Sequence, residues 1–258
     1  MRQRILGFKE EGAVAVVEMT TSIDSQDKLI RLSREISDCC EKFRMNDGNL
    51  VLAIIERTPG LLALEQQSGF TAMGFPASVS LAQSIADCER PVMIGIRGNA
   101  VGLGLELALA CDIRIASETS RFGLPQIGEG LMPCDGATQR LSRIVGKAKA
   151  LEMILTGELI DAREANRIGL VSQIVPAEQV LPTVMRLARD MASKSPISLE
   201  YCKESIMKGM DLTLEQGIRL EADLYFLLHT THDRREGIKA FQEKRKPEFK
   251  GNYSERPK

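Results

Sequence analysis

Neither sign of charge dominates this 258-residue sequence, in which 34 Lys and Arg face 35 Asp and Glu for a formal net charge of −1. This balance gives no general case for nucleic-acid binding, which a basic face would indicate. The cysteines lack the paired spacing of a metal site; they are Cys39, Cys40, Cys88, Cys111, Cys134 and Cys202. We expect reduced thiols in a cytoplasmic protein, because no signal peptide is recognisable ahead of them.

A long uninterrupted hydrophobic run is also missing. The most apolar region, from Val92 to Ala116, is broken by Arg97, Asn99, Glu106 and Asp112. Such interruptions favour a buried strand, helix and strand over a membrane span. We therefore expect a soluble protein without a membrane partner.

The third absence is the dinucleotide-binding fingerprint. Gly98, Gly102 and Gly104 lie between an apolar run and a helix-forming run, but they do not follow the G-x-G-x-x-G spacing. No acidic residue ends a strand about 20 residues further on, as that motif requires. The sequence instead predicts a glycine-rich turn from a strand into a helix, whose first amides favour a negatively charged oxygen.

Glu106 follows this turn by about one helical turn, among apolar neighbours. A carboxylate is costly to bury unless it is paired or used, so the position favours a functional role. Two simpler hypotheses stay open. The glycines could allow close packing of helix and strand, and Glu106 could lie on an exposed face.

Strand and helix patterns alternate through most of the chain, which predicts an α/β fold with parallel strands and helical crossovers. The predicted strands are Gly12–Thr20, Leu50–Ile55, Val92–Ile96, Ile113–Ala116 and Leu170–Val175. An amphipathic helix is predicted over Ser25–Phe43, and from Ala177 onward the pattern is entirely helical. We expect an α/β core over residues 1–195 and a helical region over residues 196–258.

Seven segments, taken in order, resemble the enoyl-CoA hydratase/isomerase (crotonase) family. They are Gly98–Asp112, Phe122–Gln126, Thr138–Leu141, Leu155–Gly157, Asp161–Ala162, Ile168–Val171 and the tail Glu236–Phe249. The resemblance implies a crotonase-like spiral of strand-strand-helix units with a helical C-terminal trimerisation region. It further implies a homotrimer or a dimer of trimers, an acyl-CoA thioester as substrate and no cofactor, since coenzyme A is part of the substrate.

Family members stabilise an enolate-like oxyanion with two backbone N–H groups, and preorganised amides of this kind are often the largest catalytic contribution. By resemblance, one donor is the amide of Leu103, beside Gly102 in the substrate-binding turn. The other donor normally lies in a loop with the pattern A-G-A-D, which is absent here. Ala63 or Leu62 is the expected donor in that loop.

By the same resemblance, Glu106 matches the first of two glutamates that activate water in family hydratases. Gln126 stands after Pro125, where the second glutamate belongs. A glutamine amide can orient water but cannot exchange a proton near neutral pH. We therefore expect a hydratase in which Glu106 is the acid/base. An isomerase or thioester hydrolase that uses one carboxylate, and a non-catalytic acyl-CoA-binding protein, are the alternatives.

Asp135, which follows Pro133 in a turn expected to face the site, is the candidate for a replacement acid. Its alternative role is to cap the helix that follows. Near the C-terminus, Phe241 and Lys244 resemble residues that contact the coenzyme A of a neighbouring subunit. Their alternative is a solvated, charged helix.

Overall fold

The computed structural model describes residues 4–64 and 80–252. The chain divides into two compact units, one of residues 1–88 and 92–188 and the other of residues 89–91 and 189–258. Sequence patterns predicted a boundary at residue 195, and the separate roles expected for the two parts stay predictions.

Ten strands occur in the described part of the chain. They are β1 (Leu6–Glu11), β2 (Val14–Met19), β3 (Val51–Glu56), β4 (Ala63–Leu64), β5 (Val92–Ile96), β6 (Ala100–Gly102), β7 (Ile113–Ser117), β8 (Arg121–Gly123), β9 (Ile160–Asp161) and β10 (Gln173–Val175). One sheet has the order β1-β2-β3-β5-β7-β10, and a smaller one has the order β4-β6-β8-β9.

The helices are α1 (Gln26–Met45), α2 (Gln83–Ala86), α3 (Leu103–Ala110), α4 (Ala137–Val145), α5 (Lys147–Thr156), α6 (Ala162–Arg167), α7 (Val180–Ala192), α8 (Pro196–Gly209), α9 (Leu214–Leu228) and α10 (His232–Gln242). Short 3₁₀ turns cover Pro125–Glu129 and Ala177–Gln179. From residue 177 to Gln242 the described chain has helices and no strand, as predicted. Within the described residues, no helix is long and apolar enough to cross a membrane.

The prediction of parallel pairing is confirmed for the neighbouring strands β2, β3, β5, β7 and β10. All six residues of β3 and all five of β5 are buried, as expected for continuous apolar runs covered on both faces. Two pairs that include strands not predicted from the sequence are antiparallel, namely β1 with β2 and β8 with β9. Strand β1, with the sequence LGFKEE, is a polar edge strand and was not predicted.

The smaller sheet places the glycine-rich turn. Strand β6 lies between β4 and β8, and its last residue, Gly102, leads directly into α3. All eight residues of α3 are buried. A helix that is apolar on every side belongs in a core, so this turn and its carboxylate lie inside the first unit.

Candidate active site

The three glycines of the turn, Gly98, Gly102 and Gly104, are required for different structural reasons. Gly102 has φ 58° and ψ −127°, a backbone conformation that glycine adopts without steric cost. A Cβ on Gly104 would overlap the backbone carbonyl of Leu62, and one on Gly98 would overlap the backbone of Gly60. The packing interpretation is therefore confirmed for Gly98 and Gly104, whereas Gly102 makes the turn that starts α3 at Leu103.

Glu106 is fully buried, with 0% of its surface exposed, so the hypothesis of an exposed helix face is wrong. Its Oε1 accepts a hydrogen bond from Gln126 Nε2 at 2.9 Å, and its Oε2 accepts one from the backbone N–H of Asp135 at 2.6 Å. Burial raises the pKa of Glu106 to about 7, although the N–H bond from Asp135 acts in the opposite direction. The carboxyl can therefore accept and release a proton near neutral pH.

Gln126, on the 3₁₀ turn that begins at Pro125, is 2% exposed. Its amide nitrogen is committed to Glu106. Its Oε1 is buried, and no group of the described chain donates a hydrogen bond to it. A buried polar atom without a partner is costly, and it points to a donor supplied by water or a ligand.

Asp135 contacts Glu106 through its backbone, not through its side chain. Its Oδ1 accepts from Ser80 Oγ at 2.5 Å, and its Oδ2 accepts from the amides of Leu81 and Ala82 at 2.7 and 2.9 Å. The N-cap hypothesis is wrong, because Gly136 is the N-cap of α4 and no side chain caps that helix. Both carboxylate oxygens of Asp135 accept hydrogen bonds from residues 80–82, which argues against its predicted role as a replacement acid.

Leu62 and Ala63 were expected to supply the first oxyanion donor. The Leu62 amide instead donates to Glu56 Oε1 at 2.9 Å, and the Ala63 amide donates to the Gly60 carbonyl at 3.1 Å. An amide has a single hydrogen, so the structure corrects this prediction for both residues. The Leu103 amide is the first of α3 and has no carbonyl partner within the helix.

Glu56, at the end of β3, is a functional candidate that the sequence did not reveal. It is 2% exposed, and besides Leu62 it binds the amides of Arg97 and Gly98 at 2.7 and 3.1 Å. Burial raises the pKa of Glu56, and the same backbone bonds counteract that rise. Its carboxylate joins the turn before β4 to the turn before β6. No local pattern could have indicated this, because the partners are 6 to 42 residues away.

The remaining predicted residues are distributed over the two units. Pro125 begins the turn that carries Gln126, and Pro133 is buried in the loop before Asp135. Phe241 and Lys244 belong to the second unit, where Phe241 is 86% exposed and Lys244 follows α10 with φ 54°. Within the described ranges, no group of three His, Cys, Asp or Glu side chains could hold a metal ion.

The sequence is similar to those of several known proteins. The chain is 45% identical over 163 residues to the 2,3-dehydroadipyl-CoA hydratase of Escherichia coli, which covers 63% of this chain and 64% of that protein. It is 36% identical over 241 residues to the mitochondrial enoyl-CoA hydratase of Pongo abelii, which covers 86% of this chain and 83% of that protein. The first of these relatives is thus matched over less than two thirds of its length.

Solved structures show the fold. An enoyl-CoA hydratase from Bacillus anthracis superposes with a TM-score of 0.83 at 28% identity, covering 96% of this chain and all of that one. An enoyl-CoA hydratase from Mycobacterium tuberculosis gives 0.87 at 22% identity and coverages of 97% and 100%, a likeness of fold alone. The expected crotonase-like α/β fold is confirmed. The family model for enoyl-CoA hydratase/isomerase matches residues 63–252, and the chain belongs to that family.

Proposed function

We propose that this protein adds water across the α,β double bond of an enoyl-CoA thioester, with Glu106 as the acid/base. The observation that carries the proposal is the unpartnered, buried Oε1 of Gln126 beside the buried carboxyl of Glu106. Two neighbouring acceptors suit a water molecule that donates both of its hydrogens. Family membership supports an acyl-CoA thioester as the substrate class.

In the proposed reaction, water donates one hydrogen to Gln126 Oε1 and the other to Glu106. One of its lone pairs attacks the β-carbon of the substrate while Glu106 takes the proton. The electron pair of the double bond forms a new bond between the α-carbon and the thioester carbon, and the π pair of the carbonyl moves onto its oxygen, where the Leu103 amide stabilises the enolate. Glu106 then returns the proton to the α-carbon, so the hydroxyl and the hydrogen of one water end on adjacent carbons.

This mechanism needs one group that serves first as base and then as acid. Gln126 cannot take the proton, and the two oxygens of Asp135 are engaged by residues 80–82. A carboxyl whose pKa lies near 7 is suited to both steps, because neither of its protonation states is strongly favoured at neutral pH.

A second candidate is double-bond isomerisation, for which one carboxylate suffices to move a proton between two carbons. The substitution of glutamine for the second glutamate favours it, because an isomerase needs no second acid. Thioester hydrolysis and acyl-CoA binding without turnover are further outcomes that the same assay separates.

The test is to incubate the wild-type protein with a short-chain and a branched enoyl-CoA and to measure hydration, isomerisation and free thiol. We expect hydration in the wild type and a loss of about 10²- to 10⁴-fold in Glu106→Gln, as is typical when a general acid/base is removed. Gln126→Glu should retain or raise hydration. Gln139→Glu, an identical change on the exposed side of α4, is the matched control.

Each other outcome contradicts the proposal in its own way. Migration of the double bond without hydration indicates the isomerase, and thiol release indicates a hydrolase. Binding of the coenzyme A ester without any turnover indicates a binding protein. Full hydration by Glu106→Gln would remove Glu106 from the mechanism.

We also propose that the second unit mediates self-association into a homotrimer or a dimer of trimers. The support is a set of large apolar side chains on or between α8 and α9 that are more than half exposed. They are Ile206, Met207, Met210, Leu214, Ile218, Tyr225 and Phe226. Exposed apolar side chains that gather into a patch mark interaction sites, and burial of these against another subunit would remove them from water.

A further inference from the structure

The carboxylate of Asp135 fastens two separate parts of the first unit to each other. Three donors from consecutive residues converge on it, namely the hydroxyl of Ser80 and the amides of Leu81 and Ala82. Leu81 and Ala82 are 0% exposed. These three hydrogen bonds hold the two segments together more strongly than neutral ones would, because hydrogen bonds to a charged acceptor are shorter and roughly twice as strong.

Residues 80–82, which bind the Asp135 carboxylate, are also held by hydrogen bonds to α1 and α2. Ser33 Oγ, on α1, donates to the Ser80 carbonyl at 2.7 Å, and the amide of Gln83 donates to Ser80 Oγ at 2.8 Å. A continuous path of hydrogen bonds thus runs from α1 through Ser80 to Asp135. Because residues 80–82 are held in this way, their hydrogen bonds to Asp135 restrict the position of the loop that contains Asp135.

The backbone of Asp135 continues this path to the reacting group. Its N–H donates to Glu106 Oε2 at 2.6 Å, and its carbonyl accepts from Arg140 Nη1 at 2.7 Å. We propose that Asp135 is a positioning residue, whose carboxylate anchors the loop so that its own N–H holds the Glu106 carboxyl in place. This inference rests on the proposed function, because it assigns Asp135 a part in the same reaction without a proton of its own to give.

The groups around Glu106 determine how the inference is tested. The charge of Asp135 raises the pKa of Glu106, while the N–H bond from Asp135 lowers it by more. Partial desolvation, together with the charges of Glu106 and Asp135, raises the pKa of the neighbouring Cys134 thiol to about 11. Helix α4 contributes Arg140 and the exposed Arg143, and α2, β4 and β6 contain no titratable side chain within their bounds. Variants that weaken the hydrogen bonds to the Asp135 carboxylate should therefore keep the charge at position 135, so that the direct effect of this charge on the pKa of Glu106 does not change.

Two variants meet that condition. Ser80→Ala removes one donor to the carboxylate, and Asp135→Glu keeps the charge but displaces it by one methylene. Asp87→Glu, the same change at an exposed position at the end of α2, and Ser193→Ala, at an exposed turn, are the matched controls.

We expect kcat for hydration to fall by about 10- to 100-fold in Asp135→Glu, as for a misplaced catalytic group, and less in Ser80→Ala, with KM changed little. Both variants should raise the pKa of Glu106, because the N–H bond that favours its ionised form is weakened. Infrared titration of the protonated carboxyl C=O stretch measures that pKa, with Glu106→Gln assigning the band.

The infrared measurement does not depend on turnover. A wild type without hydration would defeat the proposed function, while the Glu106 pKa in Ser80→Ala and Asp135→Glu would still test the anchor. A lowered thermal midpoint with kcat, pH profile and Glu106 pKa as in the controls would overturn the inference, since it would show a structural role only.

Discussion

At the scale of single residues, the burial of Glu106 favours function at the expense of stability. Desolvation raises the pKa of this carboxyl from 4.5 to about 7, so the folded protein holds a proton that the unfolded chain releases. The free energy of unfolding therefore falls as the pH rises through this window, and the penalty is complete above it. The buried carboxyl costs stability at the pH at which it can act as a base.

Glu106→Gln is accordingly expected to stabilise the protein while it removes activity. The glutamine carries no charge to desolvate, and its amide can donate to Gln126 Oε1 after a rotation of the Gln126 amide. The gain should approach about 3 kcal/mol above pH 8 and vanish near pH 4.5, from the 1.4 kcal/mol equivalent to one pKa unit. Urea unfolding of both proteins at the two pH values measures it. An equal gain at both would show that desolvation of the charge is not the cause.

At the scale of elements, the close approach of α3 to the turn before β4 sets where the site lies. Gly104→Ala would gain about 1 kcal/mol of helix propensity, but its Cβ would overlap the carbonyl of Leu62. The overlap is with backbone, so the helix has to move, which typically costs about 1–3 kcal/mol. We expect a lower free energy of unfolding and a large loss of hydration.

Gly217→Ala is the control for that prediction, because Gly217 lies inside α9 and its added Cβ would meet atoms no nearer than 3.8 Å. It should be neutral or slightly stabilising. Chemical unfolding and initial-rate assays on both variants give the answer. Wild-type stability and activity in Gly104→Ala would mean that α3 is not held against Leu62.

The elements that could be predicted from the sequence are those whose residues carry the signal themselves. Helix α1 begins one residue after its predicted start at Ser25, and β5 has the predicted bounds, because periodicity and continuous apolar runs are local. Strand β1 was missed because its polar edge residues show no such run. Glu106 was predicted from its apolar neighbours and Gln126 by resemblance, whereas the partners of Glu56 and Asp135 depend on contacts between distant segments.

At the scale of the whole molecule, the exposed apolar side chains of the second unit predict assembly. Phe226, 72% exposed on α9, is the residue to change. Phe226→Glu should reduce the oligomer mass measured by light scattering after size-exclusion chromatography, because a charge at the centre of an apolar interface has to be desolvated. Met45→Glu, at a residue 79% exposed on α1, is the control. A monomeric wild type would contradict the prediction.

The bond from the backbone of residue 135 to Glu106 has a consequence for how this site tolerates genetic change. Every amino acid except proline supplies the same N–H, so a mutation at this codon can alter the side chain, and with it how firmly the loop is anchored, without deleting the donor. Variation at this position can therefore reach new side chains, such as the anchoring aspartate of this chain, without first removing the backbone donor to the reacting carboxyl. Only a proline codon would delete the donor itself.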